Sequence, residues 1–206
     1  MNLLTQPKNI AFIAVTLIGV LLDQWSKWWV VNNIEYRRGE IDLIEGWLSL
    51  VNERNTGAAF SIMEGQFSLF MVFTAVAVFV LVDMQRRLPN NATMMAATVG
   101  IIMSGALGNF IDRVRLRYVV DFVKCYTEYP PLKNWLLENV GTNVYPIWNI
   151  ADAAILIGVG VFLLNSAFQP QDDELEPNED ALPPTEVNDD SAPSNDDPVS
   201  ETESVD

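Results

Sequence analysis

The sequence predicts an all-α membrane protein: four transmembrane helices, a small β-containing extramembrane region and a disordered acidic C-terminal tail. Three observations carry this expectation. Apolar runs recur four times, at about 10–31, 67–82, 94–111 and 146–168, lengths that suit bilayer spans. Ionisable residues gather at the ends of these runs rather than along them. The formal charge of −15 also sits almost wholly at one end: residues 169–206 hold 14 Asp/Glu and no Lys or Arg, leaving 13 acidic and 12 basic groups in the first 168. A near-neutral body gives no reason to expect nucleic acid.

The first run is apolar from Ile10 to Leu22 and is then interrupted by Asp23. Those 13 residues fall short of the roughly 20 that a span needs, whereas continuing to Val31 gives 22. Span 1 therefore works only with Asp23 and Lys27 inside it, near its exit. A cleaved signal peptide is the competing reading, but only Lys8 precedes the core and bulky tryptophans stand where a small-residue cleavage site belongs. A retained span is expected. Residues 32–66 are polar and mixed, with strand-like alternation around Trp47–Val51, and contain Asn55-Thr-Gly-Ala-Ala-Phe60. Span 2, Phe67–Val82, stops at Asp83 and the Arg86–Arg87 pair, and Leu88-Pro-Asn-Asn91 is a turn. Span 3 carries Ser104, Gly105 and Gly108, small residues that let membrane helices approach closely. A second polar excursion covers 112–145, and span 4 is expected to start near Pro146, where a missing N–H is harmless. Beyond Phe168, Asp, Glu, Pro, Ser and Asn dominate, so 169–206 should remain a solvated, disordered tether.

Four spans define two membrane faces, and every polar motif falls on one of them. Asp23 and Lys27 lie at the exit of span 1 and Asn55 before the entry of span 2. Asn109, Asp112 and Arg113 lie at the exit of span 3 with Asp121 just beyond, and Asn149 and Asp152 lie in the first turns of span 4. All six tryptophans also fall on that face. This reads either as a half-immersed, substrate-facing surface or simply as the face with the two long excursions. The same face carries Arg37, Arg38, Arg54, Arg115, Arg117, Lys124 and Lys133 against Lys8, Arg86 and Arg87 opposite. A plain positive-inside count would therefore turn the motif face to the cytoplasm.

Histidine is absent, which excludes Ser-His-Asp and Cys-His catalysis and most zinc sites within the chain. Cys125 is alone, cannot form an internal disulfide, and reads as a bystander. Asp23 and Lys27, spaced i,i+4 with the acid first, read as a structural ion pair before they read as catalysis. Asp112 faces the unfavourable end of its helix dipole and needs a partner, Arg113 or Asn109 being the near candidates. Asp121 and Asp152 stand among apolar neighbours. Burial raises a carboxylate pKa and a neighbouring carboxylate raises one of the two further, so such a pair can share a proton near neutral pH. One group then takes a proton from water while the other protonates the substrate. That is aspartic-protease chemistry and needs no metal. A serine–lysine pair using Lys27 with Ser26, Ser61 or Ser104 is a second possibility, opposed by Asp23, which favours charged Lys27. A small ion or proton carrier is a third, opposed by the confinement of the polar groups to one face.

In order, Asp23-Gln-Trp-Ser-Lys27, Asn55-Thr-Gly-Ala-Ala-Phe60, Gly105-Ala-Leu-Gly-Asn-Phe-Ile-Asp-Arg113, Val119-Val-Asp-Phe122 and Asn149-Ile-Ala-Asp152 resemble the lipoprotein signal peptidase (signal peptidase II) family. Each motif is weak alone, but five in order at the right ends of four spans are specific. The resemblance covers about 10–168 and implies a four-helix transmembrane peptidase domain over 1–168. It implies an intramembrane aspartic endopeptidase that removes signal peptides from diacylglyceryl-modified prolipoproteins, cutting N-terminal to the lipid-modified Cys. The catalytic pair would be Asp121 and Asp152, with Asp23, Lys27, Asn55, Asn109, Asp112, Arg113 and Asn149 in supporting or substrate-binding positions. Neither cofactor nor metal is implied. The partners would be prolipoproteins and membrane lipids, the protein a monomer in the bacterial inner membrane, its active site towards the outer leaflet and its termini cytoplasmic. Against the arginine count, the orientation expected here follows the resemblance. Two features depart from the family: an apparent insertion over 125–144, with Pro130-Pro131 and Trp135, and the acidic tail.

Overall fold

The computed structural model describes residues 6–57 and 67–168. Its elements run α1 (Pro7–Asn33), β1 (Glu40–Ile44), β2 (Leu48–Asn55), α2 (Phe67–Arg87), α3 (Thr93–Leu116), β3 (Val119–Cys125), α4 (Pro130–Asn139) and α5 (Ile150–Ala167). Four of these helices, α1, α2, α3 and α5, are long and apolar enough to cross a membrane, so the expected fold class is present. The predicted tail and the Ala58–Phe60 end of the second motif lie outside the described residues.

The membrane helices outrun the apolar runs because their polar ends are satisfied locally. Pro7 opens α1, where its missing N–H costs nothing. At the other end the Asn32 and Asn33 amides donate to the carbonyls of Trp28 and Trp29, both at 2.7 Å. The last turn of α2 carries Arg86 and Arg87, which suit the negative end of the dipole. Arg117 closes α3 in the left-handed region (φ 69°), its N–H on the Arg113 carbonyl at 3.0 Å. Span 4 differs from expectation. Pro146 lies outside the helix, and α5 begins at Ile150 because Asn149 and Asp152 form a capping box ahead of the apolar run.

α3 is the central helix, packed against α1, α2 and α5. Half of its apolar window is buried, against 11–17% in the other three. Its small residues make this possible. A Cβ on Gly105 would strike the Ala151 carbonyl of α5, and one on Gly108 would strike the Asp23 carboxylate of α1. Two apolar clusters bracket this region. Leu81, Val99 and Met103 form one, with Phe12 against it; Val30, Ile34, Val120 and Phe122 form the other. Along α1 the polar motif residues Asp23 and Lys27 fall between these clusters.

The three strands form one antiparallel sheet in the order β1-β2-β3. The alternation around Trp47–Val51 belongs to β2, and Gly46 (φ 79°) makes the turn from β1. β3 places Glu53 opposite Asp121 and Asn55 opposite Val119. Asn55 is thus diagonal to Asp121 on one face of the sheet. The sequence presents 112–145 as a polar excursion, and within it the structure forms β3 and α4.

Candidate active site

Two layers of polar side chains lie at the junction of α1, α3, β3 and α5. The first layer centres on Lys27, which is 3% exposed and reaches Asp23 Oδ2 at 2.9 Å and Asp112 Oδ2 at 3.0 Å. The ion pair expected from the i,i+4 spacing is present. The partners of Asp112 differ from those expected: they come from α1 and β3, not from Arg113 or Asn109. Besides Lys27, Gln24 Nε2 donates to its Oδ1 at 2.9 Å and the Val120 N–H to its Oδ2 at 3.1 Å. Gln24 and Lys27 lie far from Asp112 in sequence and meet it because α1 and α3 pack side by side. Asp23 Oδ1 accepts the Ala151 N–H at 3.0 Å, tying α1 to the first turn of α5. Two acids around one cation would be costly in a low dielectric if any were left unpaired; here each oxygen has a donor.

The second layer is a chain of amides and carboxylates joined to the first through Lys27 and Asn109. Lys27 Nζ donates to Asn109 Oδ1 at 3.0 Å, and Asn109 Nδ2 donates to Asp152 Oδ1 at 2.8 Å. Asn149 Nδ2 donates to the same Asn109 oxygen at 3.2 Å and to Asp121 Oδ1 at 2.6 Å. Asn55 Nδ2 donates to Asp121 Oδ2 at 2.9 Å. Asp152 Oδ2 accepts the Asn149 N–H and Asn149 Oδ1 accepts the Asp152 N–H, both at 3.1 Å. The capping box that starts α5 is therefore also what positions Asp152. Asp121 and Asp152 are joined through Asn149 and Asn109, with all four of their oxygens accepting hydrogen bonds. Arg113 completes the ring: it donates to the Asn109 carbonyl at 3.3 Å, lies over Phe70 at 4.9 Å, and is within electrostatic reach of Asp152, Asp121 and Asp112.

Asp121 is 2% exposed, on a strand. Burial is the largest influence on it and pushes its carboxyl from the usual 3.8 up to about 6. The Asn55 hydrogen bond opposes this, the charge of Asp152 adds to it, and Asn149 and Lys27 oppose it again. Asp152 is half-buried at the edge of the layer. A buried acid beside a more open one, in a shared hydrogen-bond chain, can hold one proton and accept another.

All nine residues singled out from the sequence meet in these two layers. Gln24, inside the Asp23–Lys27 motif, joins them: it ties Asp112 to the Gly108 carbonyl, which it reaches at 3.2 Å. Its signal was its place between Asp23 and Lys27. The serine–lysine alternative loses two of its nucleophiles. Ser26 and Ser104 donate to the helix carbonyls of Asp23 and Ile101, and Lys27 is held by two carboxylates and an amide. Ser61 lies outside the described residues.

The family model described as signal peptidase (SPase) II matches residues 15–168. A lipoprotein signal peptidase of Halalkalibacterium halodurans is 38% identical over 153 residues, covering 74% of this chain and 89% of that one. One from Shouchella clausii is 38% identical over 161 residues, covering 78% and 95%. A solved structure titled as a bacterial membrane enzyme, at 2.3 Å, superposes with a TM-score of 0.62 and 28% identity, over 80% of this chain and 94% of that one. A second, at 1.9 Å, gives the same TM-score and identity over 77% and 93%. With a family match over most of its length and the polar motifs gathered at one junction, the chain belongs to the signal peptidase II family of membrane peptidases.

Proposed function

We propose that the protein removes signal peptides from diacylglyceryl-modified prolipoproteins, cutting N-terminal to the lipid-modified Cys, with Asp121 and Asp152 as the catalytic pair. The observation that carries this is the amide chain Asn55–Asp121–Asn149–Asn109–Asp152, which holds two carboxylates in one network. Asp121, the more buried acid, holds the proton. Asp152 takes a proton from the attacking water, whose oxygen forms the new bond to the scissile carbonyl carbon. Asp121 protonates the carbonyl oxygen as it becomes tetrahedral. Collapse breaks the C–N bond, the proton on Asp152 passes to the leaving amine of the Cys, and Asp121 recovers its own. Lys27, Asp23, Asp112 and Arg113 position this network, and Asn55, Asn109 and Asn149 orient the carboxylates.

The active site faces the outer leaflet of a bacterial inner membrane, with both termini cytoplasmic, and the protein works as a monomer among membrane lipids without nucleic acid. The cations on the motif face oppose this orientation by number, but most are tied into structure. Arg37 pairs with Glu53 at 3.7 Å, Lys124 with Glu40 at 2.8 Å and Lys133 with Glu128 at 2.6 Å, while Arg54 lies over the Tyr36 and Tyr118 rings at 4.2 and 5.0 Å.

The test uses purified protein with lipid-modified precursor. Asp121→Asn and Asp152→Asn should each lower kcat by about 10³-fold or more while leaving the melting temperature near wild type. Near-normal cleavage by either folded variant removes the pair from the mechanism. Equal cutting of modified and unmodified precursor removes the lipid requirement.

A further inference from the structure

Residues 125–146, which contain the apparent insertion over 125–144, form a built arch rather than a loose loop. Its base is closed by a bridge between Tyr126 and Val144, by the Tyr145 N–H on the Cys125 carbonyl at 2.9 Å, and by the Asn143 amide on the Thr127 carbonyl at 2.9 Å. Pro130 and Pro131 open α4, where prolines cost nothing. Gly141 (φ 82°) ends it, with its N–H on the Leu136 carbonyl at 3.0 Å. Beneath the arch is a cavity of about 610 Å³ lined by apolar groups. Leu132, Leu136 and Val140, at i, i+4 and i+8, line one side from α4 and its C-cap, with Trp47 beside β2 and Val144 on the returning limb of the arch also in the lining. None of the α4 side chains is buried.

Its position suggests the occupant. Trp135, Tyr129 and Tyr145 are 55%, 59% and 65% exposed, an aromatic set outside the spans and suited to headgroup level. Tyr145 precedes the first residue of α5 by only five positions, at most about 17 Å of chain. The cavity also shares a strand with the candidate site: β3 runs from Asp121 to Cys125, about 13 Å. An apolar chain tethered at the scissile bond covers that distance. A polar peptide would leave its backbone groups unpaired against this lining.

We propose that the cleft beneath α4 receives one acyl chain of the lipid-modified substrate, making the 125–146 arch an element of chain-length selectivity. The inference rests on the proteolytic reading above. Its test uses full-length enzyme in nanodiscs and synthetic diacylglyceryl-Cys precursors with long or short acyl chains; cleavage of either by wild-type enzyme checks the proteolytic reading by itself. Leu136→Trp fills the cleft. It should raise KM for the long-chain precursor by about tenfold, the effect of losing about two buried methylenes, and leave KM for the short-chain precursor and both kcat values nearly unchanged. An unchanged long-to-short KM ratio overturns the proposal. A second measurement needs no variant: a photoreactive group at the end of the substrate's acyl chain should cross-link to peptides from 125–146. Cross-linking there from a photoreactive phospholipid but not from the substrate assigns the cleft to bilayer lipid and overturns the proposal.

Discussion

Asp121 accepts one hydrogen bond on each oxygen, and both donors are neutral amides. They stabilise the ionised form, yet burial outweighs them and the carboxyl remains up at about 6. Between its ordinary 3.8 and about 6 the folded protein keeps a proton that the unfolded chain releases. This group's contribution to stability is therefore full below about pH 4 and is lost as pH rises through about 6. The proposed mechanism has the same sign, because Asp121 must be protonated to act: kcat should fall as pH rises through a limb governed by Asp121. Asn55→Ala removes a donor to the ionised form and should move that limb upward by about one pH unit. A pH–rate profile of the two proteins checks this, and a limb that stays in place would show that Asn55 does not act on ionised Asp121. At this scale the sequence revealed which residues matter, since carboxylates at the ends of apolar runs are expensive and need a reason. It did not reveal the partners of Asp112, because Lys27 and Val120 reach it only across a helix–helix and a helix–strand contact.

The start of α5 shows one element doing two jobs. Asn149 caps the helix through its Oδ1 and, through its Nδ2, bridges Asp121 and Asn109. These roles can be separated. Asn149→Ser retains a capping oxygen but no amide donor, so it should melt above Asn149→Ala while kcat falls. Asn149→Ala loses both and should in addition lose about 1 kcal/mol of stability. Thermal unfolding and kinetics measured together check this; equal activity in Asn149→Ser and wild type would mean that the bridge has no catalytic weight. The long elements were legible because an apolar run of membrane length has few alternatives. β3 and α4 were not. The strand is seven residues with a buried acid in its middle, and α4 is ten residues of mixed composition with no buried face. Neither is long enough to stand out: β3 is held by its pairing with β2, and α4 by the bridge that closes the segment carrying it.

Across the described chain, a polar layer lies between two apolar clusters at the junction of three membrane helices and the sheet. Such a layer is favourable only when every member is satisfied, which ties the site to the packing of α1, α3 and α5. Orientation is the property that charge counting and resemblance disagree on. In a Cys125→Ser background, Glu138→Cys in α4 should react with a membrane-impermeant maleimide added to intact spheroplasts, and Arg86→Cys in α2 only after permeabilisation. The reverse pattern would place the site in the cytoplasm.

What the sequence determined by itself is the number of spans, the face on which the motifs lie, and the identity of the polar residues. These follow from hydropathy and from the cost of burying charge, which act locally along the chain. Only the tertiary structure decided who pairs with whom. Lys27 neutralises Asp112 as well as Asp23, Asn109 links that pair to Asp152, and Asn149 links it to Asp121. Those distances depend on how closely α3 lies against its neighbours, which Gly105 and Gly108 permit but no local pattern specifies.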